Sequence, residues 1–378
     1  MSKLATPSAP ARVASSAVAT VTAQDTLLVG LDWGTNLSSL HAARRDSTEL
    51  LVQEQIPTVV GYAQENVLDG ILPGDARVLF GKLAQKHRAH MRLVRPLQGG
   101  VIAEREAARD FAKHLRSRLP NHSGEIRAVI GMPASSDLEA RENARAAVQG
   151  IFQKVLFVPE PFLAALGYRD EDRLNDPEYQ DPVLNSLYVD IGAGSTDVCL
   201  VQGRYPTVED QLSVPFAGDA VDKIILDAAL AAYPDSGLTL AKVREVKEKY
   251  SCVLGDESQQ PAIATVMVAG KPVKIDLTAS IAAGCDALLQ KTFEMTRELI
   301  ARAEPDSVSE LLQNIIVTGG GSLIRGFGVA LQTKLLEEGF EEPRVRVLGQ
   351  NYKDYVARGA LKTARQAQDR HWQHVIGA

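Results

Sequence analysis

Val189-Asp190-Ile191-Gly192-Ala193-Gly194-Ser195-Thr196 decides how this chain is read, because Leu31-Asp32-Trp33-Gly34-Thr35-Asn36 states the same plan earlier. In each stretch an apolar strand ends in an aspartate. A turn of small residues follows, then hydroxyl or amide side chains, then an outgoing strand. Glycine permits the tight turn and lets successive backbone N–H groups converge on an anion such as a phosphate. An aspartate at the strand end can hold a hard divalent cation against that phosphate, directly or through water. Either stretch alone reads as an ordinary hairpin with a glycine turn. Two matched copies, one in each half of the chain, point to duplicated lobes that each supply a phosphate loop.

A third glycine cluster, Thr318-Gly319-Gly320-Gly321-Ser322, follows the apolar run Ile315-Ile316-Val317 and precedes a helix expected from Ile324 to Leu336. Strand, glycine loop and helix start form a common nucleotide-contacting geometry. The dinucleotide fingerprint GxGxxG is absent, as is the P-loop pattern GxxxxGK[ST]. Between these loops the expected order mixes strands and helices, the signature of an α/β chain. A helix is expected over 101–119, a strand at Ala128–Gly131 and a helix from Asp137 to about Gln153. A strand at Leu156–Val158 leads into a short helix opened by Glu160-Pro161. Residues 170–182, rich in Asp, Glu and Pro, read as an exposed loop at a lobe boundary. Residues 219–250 read as helical, and 262–277 as a hairpin turning at Gly270-Lys271.

Composition bounds the rest. The 378 residues carry 41 Lys and Arg against 47 Asp and Glu, a net charge of −6. That balance leaves no clustered basic footprint for nucleic acid, and 5% aromatics make a poor stacking platform. Cys199, Cys252 and Cys285 are dispersed and odd in number, which argues against a disulfide framework or a zinc site. His87/His90 and His371/His374 could each share a helix face, but lack accompanying ligands. Residues 1–25 are broken by Ser, Thr, Pro and Arg12, so a mobile tail is expected there and not a signal peptide. No apolar run approaches the ~18 residues of a spanning helix.

Taken in order, Asp32-Trp33-Gly34-Thr35, Glu160-Pro161, Asp190–Asp197, Lys247-Glu248, Gly319–Ser322 and Arg358-Gly359-Ala360 resemble the actin superfamily over residues 26–365. Arg95-Pro96-Leu97-Gln98-Gly99-Gly100-Val101-Ile102 and Ala217-Gly218-Asp219 are similar to segments of MreB-type bacterial actins. Val208-Glu209-Asp210-Gln211, Ala269-Gly270-Lys271-Pro272-Val273 and Leu312-Gln313-Asn314-Ile315 resemble the magnetosome-organising branch of that group. The resemblance implies an α/β, bilobal actin-like ATPase fold, two ribonuclease H-like lobes around a nucleotide cleft. Lobe I would span 26–184 with a small subdomain at about 58–95. Lobe II would span 185–365 with a small subdomain at about 219–274, leaving 366–378 as a C-terminal tail.

The same resemblance implies residue roles. Asp32 and Asp190 would hold Mg²⁺ of bound ATP or ADP, mainly through water. Gly34, Thr35, Asn36, Gly192, Gly194, Ser195 and Thr196 would serve the phosphates. Glu160 would orient or activate the attacking water beside Asp190, since phosphoryl transfer needs an aligned nucleophile and charge neutralisation. Read without the family, Glu160 is an acidic residue at a helix start. Gly218, Asp219, Lys247, Glu248, Gly319, Gly320, Gly321 and Ser322 would line the ribose and base. Read from pattern alone, Lys247 and Glu248 belong to a solvated helix face. The implied activity is ATP hydrolysis coupled to assembly of a homopolymeric cytoplasmic filament, tethered to cargo by a magnetosome-associated adaptor. No direct membrane insertion is expected, because no basic amphipathic N-terminal helix is visible. A cell-shape or plasmid-segregating actin is the alternative, and a small-molecule kinase of this fold a more distant one. Three departures stand out: Trp33 would place a bulky ring near the phosphates, Gly99 replaces an acidic residue at the lobe interface, and Ala193 sits in the second loop.

Overall fold

Thr26–Trp33 (β1) is a nearly unbroken apolar run and is buried along its length, as a central strand covered on both faces must be. It occurs in a computed structural model that describes residues 26–134, 136–255 and 260–375; the segment 1–25 and residues 376–378 lie outside it. From β1 the chain turns back through Leu37–Arg44 (β2) and Val52–Pro57 (β3), both antiparallel to their predecessors. Val60–Ala63 (β4), Val78–Phe80 (β5), the helix Gly81–Lys86 (α1) and Met91–Val94 (β6) then build a small subdomain with its own core of Val59, Leu72, Leu79, Ala84 and Met91. Leu97–Gln98 (β7) and Val101–Ile102 (β8) pair as a short hairpin. The helix expected over 101–119 therefore begins later, at Arg105–Arg118 (α2). Glu125–Met132 (β9) runs parallel to β1. Leu138–Val148 (α3) is capped by Asp137, whose carboxylate accepts from the Ala140 N–H at 2.7 Å, and it ends five residues before Gln153. Lys154–Pro159 (β10) continues the parallel set, and Glu160–Tyr168 (α4) leads to the second lobe.

Lobe II repeats the plan. Ser186–Ile191 (β11), Thr196–Val201 (β12) and Gln211–Val214 (β13) form the antiparallel half-sheet. Gly218–Ala232 (α5), Leu240–Tyr250 (α6) and the hairpin Ile263–Val268 (β14) with Lys271–Asp276 (β15) make its small subdomain. Thr278–Ile300 (α7) and Val308–Leu312 (α8) lead to Ile315–Thr318 (β16), Phe327–Glu337 (α9) and Val345–Val347 (β17). The helix expected from Ile324 starts at Phe327 because Gly326 adopts a left-handed conformation at its N-cap. The sheet orders are β3-β2-β1-β9-β10 and β13-β12-β11-β16-β17, with the same antiparallel and parallel pairings in the same places. The two loops that opened the argument thus occupy equivalent positions in duplicated sheets.

Tyr352–Gln366 (α10) corrects the expected boundaries. Although it follows lobe II in sequence, it packs on β1, β2 and β9 of lobe I and crosses α4. The crossing is backbone on backbone: a Cβ at Gly359 would strike the Leu163 carbonyl, and one at Gly167 the Tyr355 carbonyl. One core cluster, containing Leu28, Val129, Leu163, Tyr188, Ile316 and Leu361, draws on both sheets and both helices, so α4 and α10 form the joint between lobes. The expected C-terminal tail is also structured through residue 375. Gln373–His374 (β18) adds an edge strand to β10, and Trp372 and Val375 are buried, with the Arg127 guanidinium 5.7 Å from the Trp372 ring.

Candidate functional site

Parallel strands of an open α/β sheet present their carboxyl ends to ligands. Here both sheets aim those ends at one cleft, a cavity of about 420 Å³ between the lobes. Asp32 lies near the end of β1 opposite Ser39 of β2, and Asp190 near the end of β11 opposite Asp197 of β12. Gly34, Thr35 and Asn36 line the cleft from lobe I, as does Glu160. Gly192, Gly194 and Ser195 face them from lobe II. The far wall carries Gly218, Asp219, Lys247 and Glu248, with Gly319, Gly320 and Gly321 beside them.

Two predicted residues do not line it. Thr196 is fully buried and donates to the Phe216 carbonyl at 2.7 Å. Ser322 is buried and donates to the Gly319 carbonyl at 2.7 Å, bracing the third loop from behind. Alternation along β1 also corrects the expectation for Trp33, whose ring packs in the lobe I core with Leu31, Leu40 and Leu97.

Asp32, Glu160 and Asp190 line the floor of the cleft with the buried Asp197 beside Asp190 on β12, and none of these four carboxylates forms an ion pair among the described residues. Burial pushes the Asp32 carboxyl up to about 7. Burial, then the charges of Asp197 and Asp32, push Asp190 up to about 8. Glu160 is raised well above its ordinary value by burial, followed by Asp32, Asp197 and Asp190, and its buried Oε1 has no hydrogen-bond partner among the described residues. Its position depends on Gly131, where a Cβ would come within 2.9 Å of the Glu160 Cγ. Asp197 is raised by burial against hydrogen bonds from the Ala134 N–H at 2.8 Å and the Ser195 hydroxyl at 2.7 Å. Unpaired carboxylates at such density suit a hard divalent cation, which supplies the missing positive charge. Among the described residues no three His, Cys, Asp or Glu side chains are spaced to chelate a metal directly.

The glycines divide into two kinds. At Gly319, φ is +79°, and a Cβ would run into the Asp190 carboxylate and the Ile191 carbonyl, so the fold itself requires glycine. At Gly320 the nearest atom to an added Cβ is the Tyr352 hydroxyl at 3.5 Å, so packing leaves room for a side chain pointing into the cleft. Across the cleft the first two loops already touch. A Cβ on Gly194 would sit 2.6 Å from the Thr35 hydroxyl and 2.8 Å from the Gly99 backbone, and within lobe I the Gly100 N–H donates to the Thr35 hydroxyl at 2.9 Å. With glycine at position 99, the lobes meet through backbone there.

Lys247 does not lie on a solvated face, whereas Glu248 is exposed where it lines the cleft. Asp222 is completely buried and must be paired. Lys247 Nζ sits 2.6 Å from its carboxylate and donates to the Gly218 carbonyl at 2.8 Å. Arg244 bridges Asp222 and Asp219, both at 2.6 Å. This network holds the α5–α6 wall in place and turns Glu248 toward the cavity. Sequence reasoning missed Arg244, although its i, i+3 spacing to Lys247 marks a shared helix face. It also missed Ser39 and Tyr352, which line the cleft. Ser39 was findable from the β1–β2 register; Tyr352 carries no local signal.

The chain matches the MreB/Mbl protein family over residues 28–369 and belongs to it, which places it among the actin-like proteins. Within that family it is similar to MamK. It is 31% identical to the actin-like protein MamK of Paramagnetospirillum magneticum, over 93% of this chain and 96% of the relative. A solved MamK double helical filament superposes with a TM-score of 0.80 at 30% identity, over 91% of this chain and 100% of that one. A non-polymerising MamK mutant bound to AMPPNP superposes at 0.63 and 29% identity, over 90% and 99% of the two chains.

Proposed function

We propose that this chain binds ATP with Mg²⁺ between its lobes, assembles into filaments in that state, and disassembles after hydrolysis. The observation that carries this reading is the symmetric pair of strand-end aspartates, Asp32 and Asp190, facing one cavity with Glu160 between them and glycine loops on three sides. Asp32 and Asp190 would hold the cation through water, and the cation would neutralise phosphate charge. Backbone N–H groups of the Gly34–Asn36 and Gly192–Ser195 turns would bind phosphate oxygens. Glu160, relieved of its neighbours' repulsion once positive charge enters the cleft, would ionise and accept a hydrogen bond from the attacking water. The α4–α10 joint would transmit the difference between triphosphate and diphosphate to the relative position of the lobes, and so to subunit contacts.

No helix among the described residues is long and apolar enough to cross a membrane, and the filament is proposed to act in the cytoplasm. Positioning of magnetosomes through a magnetosome-associated adaptor is supported by the resemblance to that branch of bacterial actins. Replacing Glu160 tests the hydrolytic assignment. Glu160→Ala should still bind ATP and sediment with it, while phosphate release falls roughly a hundredfold and filaments persist. Phosphate release at the wild-type rate would remove Glu160 from the mechanism.

A further inference from the structure

The three cysteines are dispersed in sequence, but the fold brings two of them together. All three are free, buried thiols. Cys199 lies on β12 in the core shared by the lobes, with Tyr188 and Ile316. Cys252 follows the end of α6, and Cys285 lies on α7, which packs against α6. The Val253 N–H donates to the Arg325 carbonyl at 3.1 Å, and the Arg325 N–H to the Ser251 carbonyl at 3.3 Å. That bridge fixes the backbone around Cys252 and turns its own N–H the other way, where it donates to the Cys285 thiol sulfur. A backbone donor of one cysteine on the sulfur of the other puts the two residues in direct contact, the approach that a disulfide requires.

The pair sits directly behind the wall of the cleft. Ser251, the residue before Cys252, lines the cavity, as does Leu288, one turn beyond Cys285 on α7. Lys247, which anchors the wall by gripping Asp222 at 2.6 Å, is near enough for its charge to act on the Cys285 thiol. While the wall is closed, burial pushes that thiol up to about 12 and keeps it protonated and inert. A local opening that admits water removes this penalty and leaves the Lys247 charge favouring the thiolate. The hairpin β14–β15 lies between the two cysteines in sequence, so a bond between them would tie together the two roots of the lobe II small subdomain.

We propose that Cys252 and Cys285 are a reversible dithiol–disulfide site, closed by a peroxide when the α5–α6 wall opens, which then holds the wall in its open position. The Cys285 thiolate attacks one peroxide oxygen and breaks the O–O bond. The released hydroxide takes up the thiol proton as water, and Cys285 becomes a sulfenic acid. The Cys252 thiol then forms the S–S bond and expels the sulfenic oxygen as a second water. One peroxide is thus reduced to two waters as two thiols are oxidised to one disulfide. Reversible bridges of this kind are the form in which disulfides serve reducing compartments. Bridge formation stands apart from the nucleotide reading above; its effect on nucleotide rests on that reading.

Peptide mapping of the reduced full-length chain tests it. The protein is treated with hydrogen peroxide, quenched with catalase, unfolded in N-ethylmaleimide and digested for mass spectrometry. A Cys252–Cys285 linked peptide should appear with Cys199 alkylated, and dithiothreitol should return all three thiols. Mg²⁺-AMPPNP at ten times its Kd holds the wall closed and should slow bridge formation about tenfold. The oxidised protein should bind fluorescent ATP at least about fivefold more weakly, recover with dithiothreitol, and show no such change in Cys252→Ser. If that variant does not fold, Cys285→Ala takes its place, and the linked peptide of the wild-type chain decides the pairing without either. Three alkylated thiols after peroxide treatment, or links through Cys199, would overturn the site. A bridge that forms equally fast with AMPPNP bound, or that leaves affinity unchanged, would overturn its coupling to the wall. If the reduced wild-type chain fails to bind ATP, the nucleotide reading falls, while the linked peptide still decides the dithiol site.

Discussion

Raising the pH of the metal-free, nucleotide-free protein should destabilise it over a defined window. In the unfolded chain Asp32 and Asp190 release their protons near the ordinary value of 3.8, whereas the folded chain keeps them until about 7 and about 8. A carboxyl raised on folding contributes stability that is complete below 3.8 and is lost as pH rises through its folded value. The loss is roughly 1.4 kcal/mol per proton per pH unit. His41 and His114 are lowered by burial and act in the opposite sense, but only below the ordinary histidine value of 6.5. Between about pH 6.5 and 8 the cleft carboxyls therefore dominate: Asp32 and Asp190 alone put two protons at stake to about pH 7 and one beyond, and Glu160, raised well above its ordinary value, acts in the same sense. The loss comes to about 3 kcal/mol, enough to lower the melting temperature by several degrees in a chain of this size. Scanning calorimetry from pH 6.5 to 8.5, with and without Mg²⁺-AMPPNP, measures it. Bound cation should flatten the slope, and Asp190→Asn should remove most of what remains above pH 7. A melting temperature that is level or rises through this window in the metal-free protein would refute the reasoning, because the carboxylates would then have to be already compensated.

Two glycine substitutions separate packing from ligand approach. Gly359→Ala drives a methyl group into the Leu163 carbonyl at the α4–α10 crossing, so it should cost on the order of 3 kcal/mol in a denaturant titration; an unchanged midpoint would mean that the crossing can open freely. Gly320→Ala meets nothing closer than 3.5 Å and should leave stability within about 0.5 kcal/mol while weakening fluorescent-ATP binding at least tenfold. Equal affinity would show that the nucleotide does not approach that loop.

The duplicated fold was legible because both copies of the phosphate turn keep the strand-end aspartate and the small residues after it, and because these features are local. Asp32 and Asp190 were visible for the same reason, Glu160 only through the family resemblance, and the cleft brings all three together. What could not be read was set at long range. Trp33 was expected beside the phosphates, but strand alternation sends its ring into the core of lobe I. Thr196 and Ser322 carry the right chemistry at the right spacing, yet backbone carbonyls consume it, that of Phe216 for Thr196 and that of Gly319 in its own loop for Ser322. The charged pattern around Lys247 reads as solvated until Asp222, 25 residues upstream and completely buried, demands Lys247 and Arg244 as partners. The packing of α10 on lobe I was equally invisible, since contacts distant in sequence, with β1, β2, β9 and α4, place that helix.

On the proposed function, nucleotide in the cleft drives self-assembly. Sedimentation of the purified full-length chain with ATP, ADP or no nucleotide, followed by negative-stain imaging of the pellets, is the decisive measurement. Ordered filaments are expected in the ATP-containing pellet, which shrink as phosphate is released, and dispersed protein without nucleotide. Monomers that remain in the supernatant under ATP and Mg²⁺ at every protein concentration, while binding nucleotide normally, would contradict it.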